Sequence, residues 1–370
     1  MPVFKGFIKD VKYNANLTPM LKSYDLKGFD INSVKTSGLI QTSTGVLAFS
    51  KWLSPKRSRS YPFERVYNTY NSLGQKIIAI IPIIKDEGIN GENDFIAYNT
   101  FSWMSLFNIY IVLAYYSSAN KNPRMLQKIE KQEFELAFIC DQIDSIVKYE
   151  KNALCWNQVI LENQFINVLE IAVNCYENIS LQTGVQTHSH LKRLNDYSED
   201  LKVYQEDSLN DSKNAAFKET KAKHAFEAVT TVHKYVVEID DCHGGVYFLV
   251  PDVIQIEDNI WVIIESKNTT KGKKLPTPSD IKDGLFKLIM FSNLDHLDCD
   301  GVSVEFKTRL QLTGNGVRGQ LKMPCPENEV KQFLQNNTFS KTQQITIKLL
   351  NQEAQSNPKL EILIESNGVK

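Results

Sequence analysis

The chain reads as an α/β protein of the α+β kind, with a β-rich then helical N-terminal region followed by a mixed sheet flanked by helices. Three patterns predict this. β-Branched and apolar runs punctuated by glycine occupy 38–49 and 75–84, the composition of strands. Apolar residues then recur every three or four positions over 134–147 and 159–173, the spacing of helices with one buried face. From residue 214 the order is helix, strands, helix, strand, which builds a sheet with helical cover.

With 370 residues, the chain is long enough for two domains or for one core with large elaborations. Residues 1–100 are expected to be mostly strand. Residues 101–116 form an apolar run shorter than the roughly 20 residues of a bilayer helix and carrying Asn108 and serines, so it is expected as a buried helix and not a membrane span. Residues 180–213 hold few apolar side chains and mixed charge and read as a polar linker or loop. Residues 214–233 suggest a helix. A hairpin follows, its strands at 246–256 and 260–267 joined by Glu257, Asp258 and Asn259. Residues 279–293 are an amphipathic helix with Ser279 as candidate N-cap, 302–312 a strand and 327–335 a short helix. Strands near 345–350 and at an edge, 360–364, complete the layer.

The chemistry of the chain concentrates in that hairpin. Folding at 257–259 sets Asp252 beside Glu265, and because side chains alternate along a strand, Glu265 and Lys267 share a face that Ser266 does not. Two carboxylates held close resist joint ionisation unless a cation neutralises them, and a hard divalent ion with oxygen ligands, Mg²⁺ above all, does this best. A lysine beside such a pair stabilises a phosphate or orients and helps deprotonate an attacking water. Acid-x-Lys alone is a weak signal, recurring at Asp10, Asp25, Asp200, Glu219, Asp280, Glu305 and Glu329. Context separates Glu265: its strand is apolar on both faces, and a buried Glu and Lys need pairing or coordination.

Pro251-Asp252, the hairpin, Glu265-Ser266-Lys267 and a helix from near Ser279 together resemble the PD-(D/E)XK nuclease superfamily, which includes most type II restriction endonucleases. The resemblance covers the last third to half of the chain. It implies a restriction-endonuclease-like core over 214–370 and a Mg²⁺-dependent endonuclease in which Asp252 and Glu265 hold the metal and Lys267 serves the water and the phosphate. Upstream acids often complete such pockets, which makes Glu227 the candidate third ligand. Residues 1–179 would then recognise or grip double-stranded DNA, and cleavage of both strands would favour a homodimer. A repair or defence nuclease, structure-specific or activated by a small ligand, and a non-cleaving DNA-binding module are the alternatives.

Charge decides little, since 42 basic residues face 43 acidic ones and any nucleic-acid surface must be local. Two local clusters suit phosphate contact: Lys51, Arg57, Arg59 and Arg65, interleaved with aromatics, and Lys271, Lys273 and Lys274 directly after the catalytic strand. Asp300, Glu305 and Lys307 form a rival acid–acid–lysine set, but their spacing is too short for a hairpin. Six cysteines without a paired short spacing argue against a zinc ribbon or disulfide framework, and His188, His190 and His243 lack a metal-ligand spacing. The first ten residues do not resemble a secretory leader. These features fit a reduced, cytoplasmic protein.

Overall fold

The computed structural model describes residues 2–58, 60–70, 75–221, 234–269 and 272–366. The chain is a mixed α+β protein in two compact units, one of Met1–Pro19 with Ser212–Lys370 and the other of Met20–Asp211. The expected division at 179 and 214 is therefore corrected at both ends of its first segment. Strand β1 (Phe4–Ile8) runs parallel to Val237–Asp241 and antiparallel to His296–Cys299, so it belongs with the C-terminal residues. Phe4 and Ile8 are fully buried there, and that burial decides the pairing. Glu353, also fully buried, accepts from the Tyr13 hydroxyl at 2.7 Å and from the Asn16 and Leu17 backbone N–H groups, tying the following residues to the same unit.

Within Met20–Asp211 the main sheet runs β2 (Ser23–Asp25), β3 (Ser37–Gln41), β4 (Val46–Lys51), β5 (Lys76–Pro82) and then Ile109–Ala114. Helix α1 (Pro62–Thr69) separates β4 from β5, and the β6 (Ile84–Asp86)–β7 (Asn93–Phe95) hairpin and α2 (Tyr98–Leu106) precede the last strand, β8 (Ile109–Ala114). The apolar run at 101–116 is thus half helix and half strand. Asn108 has a positive φ of 53°, which ends the helix, and the Ile-Tyr-Ile-Val-Leu-Ala sequence beyond it prefers a buried parallel strand beside β5.

An antiparallel pair, β9 (Tyr116–Lys121) and β10 (Ile129–Phe134), leads into α3 (Leu136–Lys148), α4 (Ala153–Asn163) and α5 (Phe165–Thr183). The supposed linker at 180–213 is mostly helical, as α6 (Leu191–Glu199) and the first part of α7 (Leu201–Lys221). Few apolar residues suffice because Tyr197 and Tyr204 are buried, Tyr204 stacking on Phe165 at 4.5 Å and donating to the Ile96 carbonyl. His188 and His190 are anchored by Asp86, which is fully buried and accepts from both rings at 3.0 and 3.1 Å and from the Gly88 and His188 N–H groups at 2.8 Å. Burial works to raise the pKa of this carboxyl, but the bonds from His190 and His188 outweigh it and hold it below its usual value.

In the other unit β11 (Val237–Asp241) and β12 (Val246–Leu249) complete one side of the β1 sheet. The expected strand at 246–256 is therefore two strands in two sheets, broken at 250–252. A second sheet has the order β13 (Val253–Glu257), β14 (Ile260–Asn268), then Phe306–Gly314, Leu360–Ser366 and Leu321–Met323. Helix α8 (Pro278–Ser292) and the strands β15 (His296–Cys299) and β16 (Val302–Ser303), which pair in the β1 sheet, lie in sequence before β17 (Phe306–Gly314). Thr277, and not Ser279, caps α8: its hydroxyl accepts from the Asp280 N–H and its own N–H donates back to the Asp280 carboxylate, with Pro278 at the first helical position.

Beyond β18 (Leu321–Met323) come α9 (Glu327–Asn336) and α10 (Lys341–Ser356), so 345–350 is helix and not strand. A Ser340–Gln343 capping box starts it and overrides the β-branched Ile345, Thr346 and Ile347. The last strand, β19 (Leu360–Ser366), lies between β17 and β18 and is interior, not an edge.

Arg309 on β17 locks this second sheet: it makes a bidentate pair with Glu257 at 2.6 Å and bonds Glu361 at 2.8 Å. The Arg309 hydrogen bonds depress the Glu257 pKa from 4.5 to about 2. A carboxylate lowered by folding adds stability above its unfolded pKa and loses it as pH falls through the folded one. The stability difference between the native chain and Glu257→Gln, read by urea unfolding, is accordingly expected in full above pH 4.5 and to vanish as pH approaches about 2. Asp86→Ala strands two histidines and is expected to cost about 3 kcal/mol in the same measurement.

Candidate active site

A two-residue turn sets the geometry of the β13–β14 hairpin. Glu257 pairs with Ile260, and Asp258 and Asn259 between them have φ values of 49° and 66°, the left-handed pair that a tight hairpin requires and that Asp and Asn tolerate. Counting back from that turn, Val253 faces Ile264, and the next position on each strand is Asp252 and Glu265. Asp252 accepts a 2.8 Å bond from the Ser266 N–H. The expected juxtaposition is present.

Glu265 is only 2% exposed, because β14 is covered on both edges by β13 and β17 and on a face by α8. Its carboxylate is divided. Oε1 meets two ammonium groups, Lys267 at 3.1 Å and Lys287 at 3.0 Å, while Oε2 is buried without a hydrogen-bond partner among the described residues. Lys267 also contacts Asp283 at 3.0 Å. Burial and then the Glu265 charge raise the Asp252 pKa, against the Ser266 N–H and Lys287. Burial disfavours the Lys267 charge, but Glu265 and Asp283 offset it and hold that pKa above its usual value. Its ion pairs with Glu265 and Asp283 hold the Lys267 ammonium in place as a donor.

Lys287 and Asp283 are the site residues that the strand motif does not contain. Both come from α8, four residues apart and so on one helical face. Two charged residues among Gly284, Leu285, Phe286, Leu288 and Ile289, all buried in α8, are a signal by which the sequence could have disclosed them. Gly284 permits the approach. A Cβ there would lie 2.8 Å from Leu310 Cδ1 and 3.0 Å from Lys267 Cε.

The donor set suits a hard divalent cation. An unpartnered buried carboxylate oxygen beside a second carboxyl is what Mg²⁺ binds, with water and a phosphate oxygen filling its other positions. Among the described residues no group of three or more His, Cys, Asp or Glu is gathered to hold a metal; the site offers two. Glu227, the expected third ligand, lies outside the described residues.

The basic clusters fare differently. Lys51 and Arg65, expected at a DNA surface, are 6% and 7% exposed: Lys51 donates to the Ile31 and Val34 carbonyls, and Arg65 donates to the Lys51 carbonyl. They satisfy backbone groups that would otherwise be buried unpaired. Arg57 is half-buried over the Trp103 ring at 4.7 Å. Arg59 and Lys271 lie outside the described residues. Lys273 is exposed and Lys274, half-buried, bonds Thr338. In the rival set, Asp300 accepts from the Val3 N–H and Lys307 pairs with Glu361, so these residues build no pocket. Among the described residues no helix is long and apolar enough to cross a membrane. No family model matches the chain, and no curated protein or solved structure matches it.

Helix propensity favours Ala over Gly by about 1 kcal/mol, whereas overpacking costs about 1–3 kcal/mol. Leu310 is fully buried and cannot yield freely, so Gly284→Ala is expected to destabilise the protein in urea unfolding despite its better helix residue.

Proposed function

We propose that the chain is a Mg²⁺-dependent endonuclease that hydrolyses phosphodiester bonds of double-stranded DNA, a type II site-specific deoxyribonuclease on a PD-(D/E)XK core. The observation that carries this reading is the Glu265 carboxylate, with one oxygen held by two lysines and the other buried without a partner beside Asp252. A structural salt bridge has no use for an orphaned buried oxygen, which costs desolvation energy for nothing. The succession of an antiparallel hairpin, helix α8 and a strand β17 parallel to β14 supports the core.

In this reading Asp252 and Glu265 hold Mg²⁺, which when bound supplies Lewis-acid polarisation of the phosphate and a more acidic water. The chain's own residues do the rest. Lys267, kept charged, donates to a phosphate oxygen and stabilises the negative charge that grows there in the transition state. The Ser266 N–H fixes Asp252. Asp283 fixes the Lys267 ammonium, and Lys273 and Lys274 follow β14 where they can meet flanking phosphates. Two copies of the chain would present one such site to each strand.

One observation favours a second reading, a nuclease that responds to a small ligand: a cleft of about 370 Å³ lined by Tyr176, Glu177, His188 and His190 within Met20–Asp211. DNA cut without any added small molecule removes it.

Incubation with plasmid or phage DNA and Mg²⁺ is expected to give discrete fragments that EDTA abolishes. Asp252→Ala and Lys267→Ala, folded by circular dichroism, are expected to lose about 10²–10³ in rate, the loss typical for removal of a transition-state charge partner. Undiminished cutting by either variant would refute the assignment.

A further inference from the structure

We infer that Lys287 is a resident counter-cation that keeps the free protein's affinity for the divalent metal low, so that metal and phosphodiester bind the site together and neither binds it well alone. This rests on the proposed nuclease reading and concerns how its site is controlled. Besides the two carboxyls offered to a metal, Asp252 and Glu265, the surrounding charges are Asp283, which pairs with Lys267, and the two ammonium groups of Lys267 and Lys287, with Lys287 and Glu265 acting on Asp252 through their charge. Lys234 adds a further positive charge acting on Asp252. The cluster is thus close to neutral before any ligand arrives.

A divalent cation entering beside Asp252 and the free Oε2 of Glu265 brings two positive charges into a region where Glu265 is 2% exposed. Charges in such surroundings are poorly screened. The cation meets attraction from the carboxylates and repulsion from ammonium groups already seated on the same carboxylate. A phosphodiester brings the negative charge that offsets the surplus, and Lys267 and Lys287, 19% and 29% exposed, are accessible to it. Coupling of this kind is reciprocal: whatever factor the phosphodiester adds to metal affinity, the metal adds to phosphodiester affinity.

Lys287 is the residue that separates charge from architecture. Lys267 is bound to both Glu265 and Asp283, so its removal disturbs two partners. Among the described residues the Lys287 ammonium hydrogen-bonds Glu265 Oε1 alone, whose second donor, Lys267, remains in place. On α8, Asp283 and Lys287 have opposite charge in one cluster. A charge mechanism requires their removal to act in opposite directions, whereas a scaffold role requires both to act alike.

The test titrates Mn²⁺ into the full chain and reads free Mn²⁺ by electron paramagnetic resonance, without and with a thymidine dinucleotide at millimolar concentration as the phosphodiester probe. The native chain is expected to bind Mn²⁺ weakly and to bind it more tightly with the probe, by about the tenfold that site–site couplings commonly reach. Lys287→Met is expected to bind Mn²⁺ about tenfold tighter than the native chain without the probe, and to gain less from it. Asp283→Asn is expected to bind more weakly, and Lys287→Arg to match the native chain. Native Mn²⁺ binding with Lys287→Met and Asp283→Asn both weakened, or both unchanged, overturns the inference and leaves the nuclease reading intact. No Mn²⁺ binding by the native chain under either condition, with DNA left uncut, removes both.

Discussion

One buried negative charge organises the second sheet of the Met1–Pro19 and Ser212–Lys370 unit. Glu265 lies inside a strand covered by neighbours on both edges, where an uncompensated carboxylate would cost several kcal/mol. Compensation arrives from two directions, along β14 from Lys267 and across the helix–sheet interface from Lys287. That second donor reaches the strand because α8 packs closely, and α8 packs closely because Gly284 has no side chain to hold it off. The helix carries Asp283 in with it, which steadies Lys267. Neutralising one charge has thus fixed a helix position, a glycine and three further ionic groups, and it still leaves one oxygen of the carboxylate unanswered among the described residues.

The register that makes this arrangement possible is local. A slip of one residue between β13 and β14 would turn every side chain to the opposite face, moving Glu265 away from α8. The two left-handed residues of the Asp258–Asn259 turn prevent the slip, and the bidentate Arg309–Glu257 pair clamps the strand end beside that turn to β17. Geometry at the Asp252–Glu265 end of the hairpin is therefore set at its opposite end.

What the amino-acid sequence disclosed follows from the range of the forces involved. The hairpin, the α8 helix and the pairing of Asp252 with Glu265 depend on residues within about one turn or strand of each other, and composition and alternation display them. Lys287 and Asp283 are legible as an oddly polar pair in an apolar helix, but their destination depends on where α8 packs. The N-terminal strand was beyond local reading because its partners lie more than 230 residues away. Lys51 and Arg65 misled because composition marks a cation without saying which carbonyl it meets. The polar stretch at 180–213 misled because two tyrosines seven residues apart hold helices that charge-rich composition disguises.

The position of β1 has a consequence for how the molecule is made. A ribosome releases residues 4–8 long before residues 237–241 and 296–299, between which they lie. Met20–Asp211 is continuous and has all its strand partners by then, so it can complete its core during synthesis. Residues 4–8 must meanwhile wait as an unpaired strand with an apolar face, the kind of exposed edge that invites association with other chains. Closing so long a loop is slow relative to local pairing. The unit that carries the candidate chemistry thus forms after Met20–Asp211, and its second sheet is complete only once residues 360–366 have been translated.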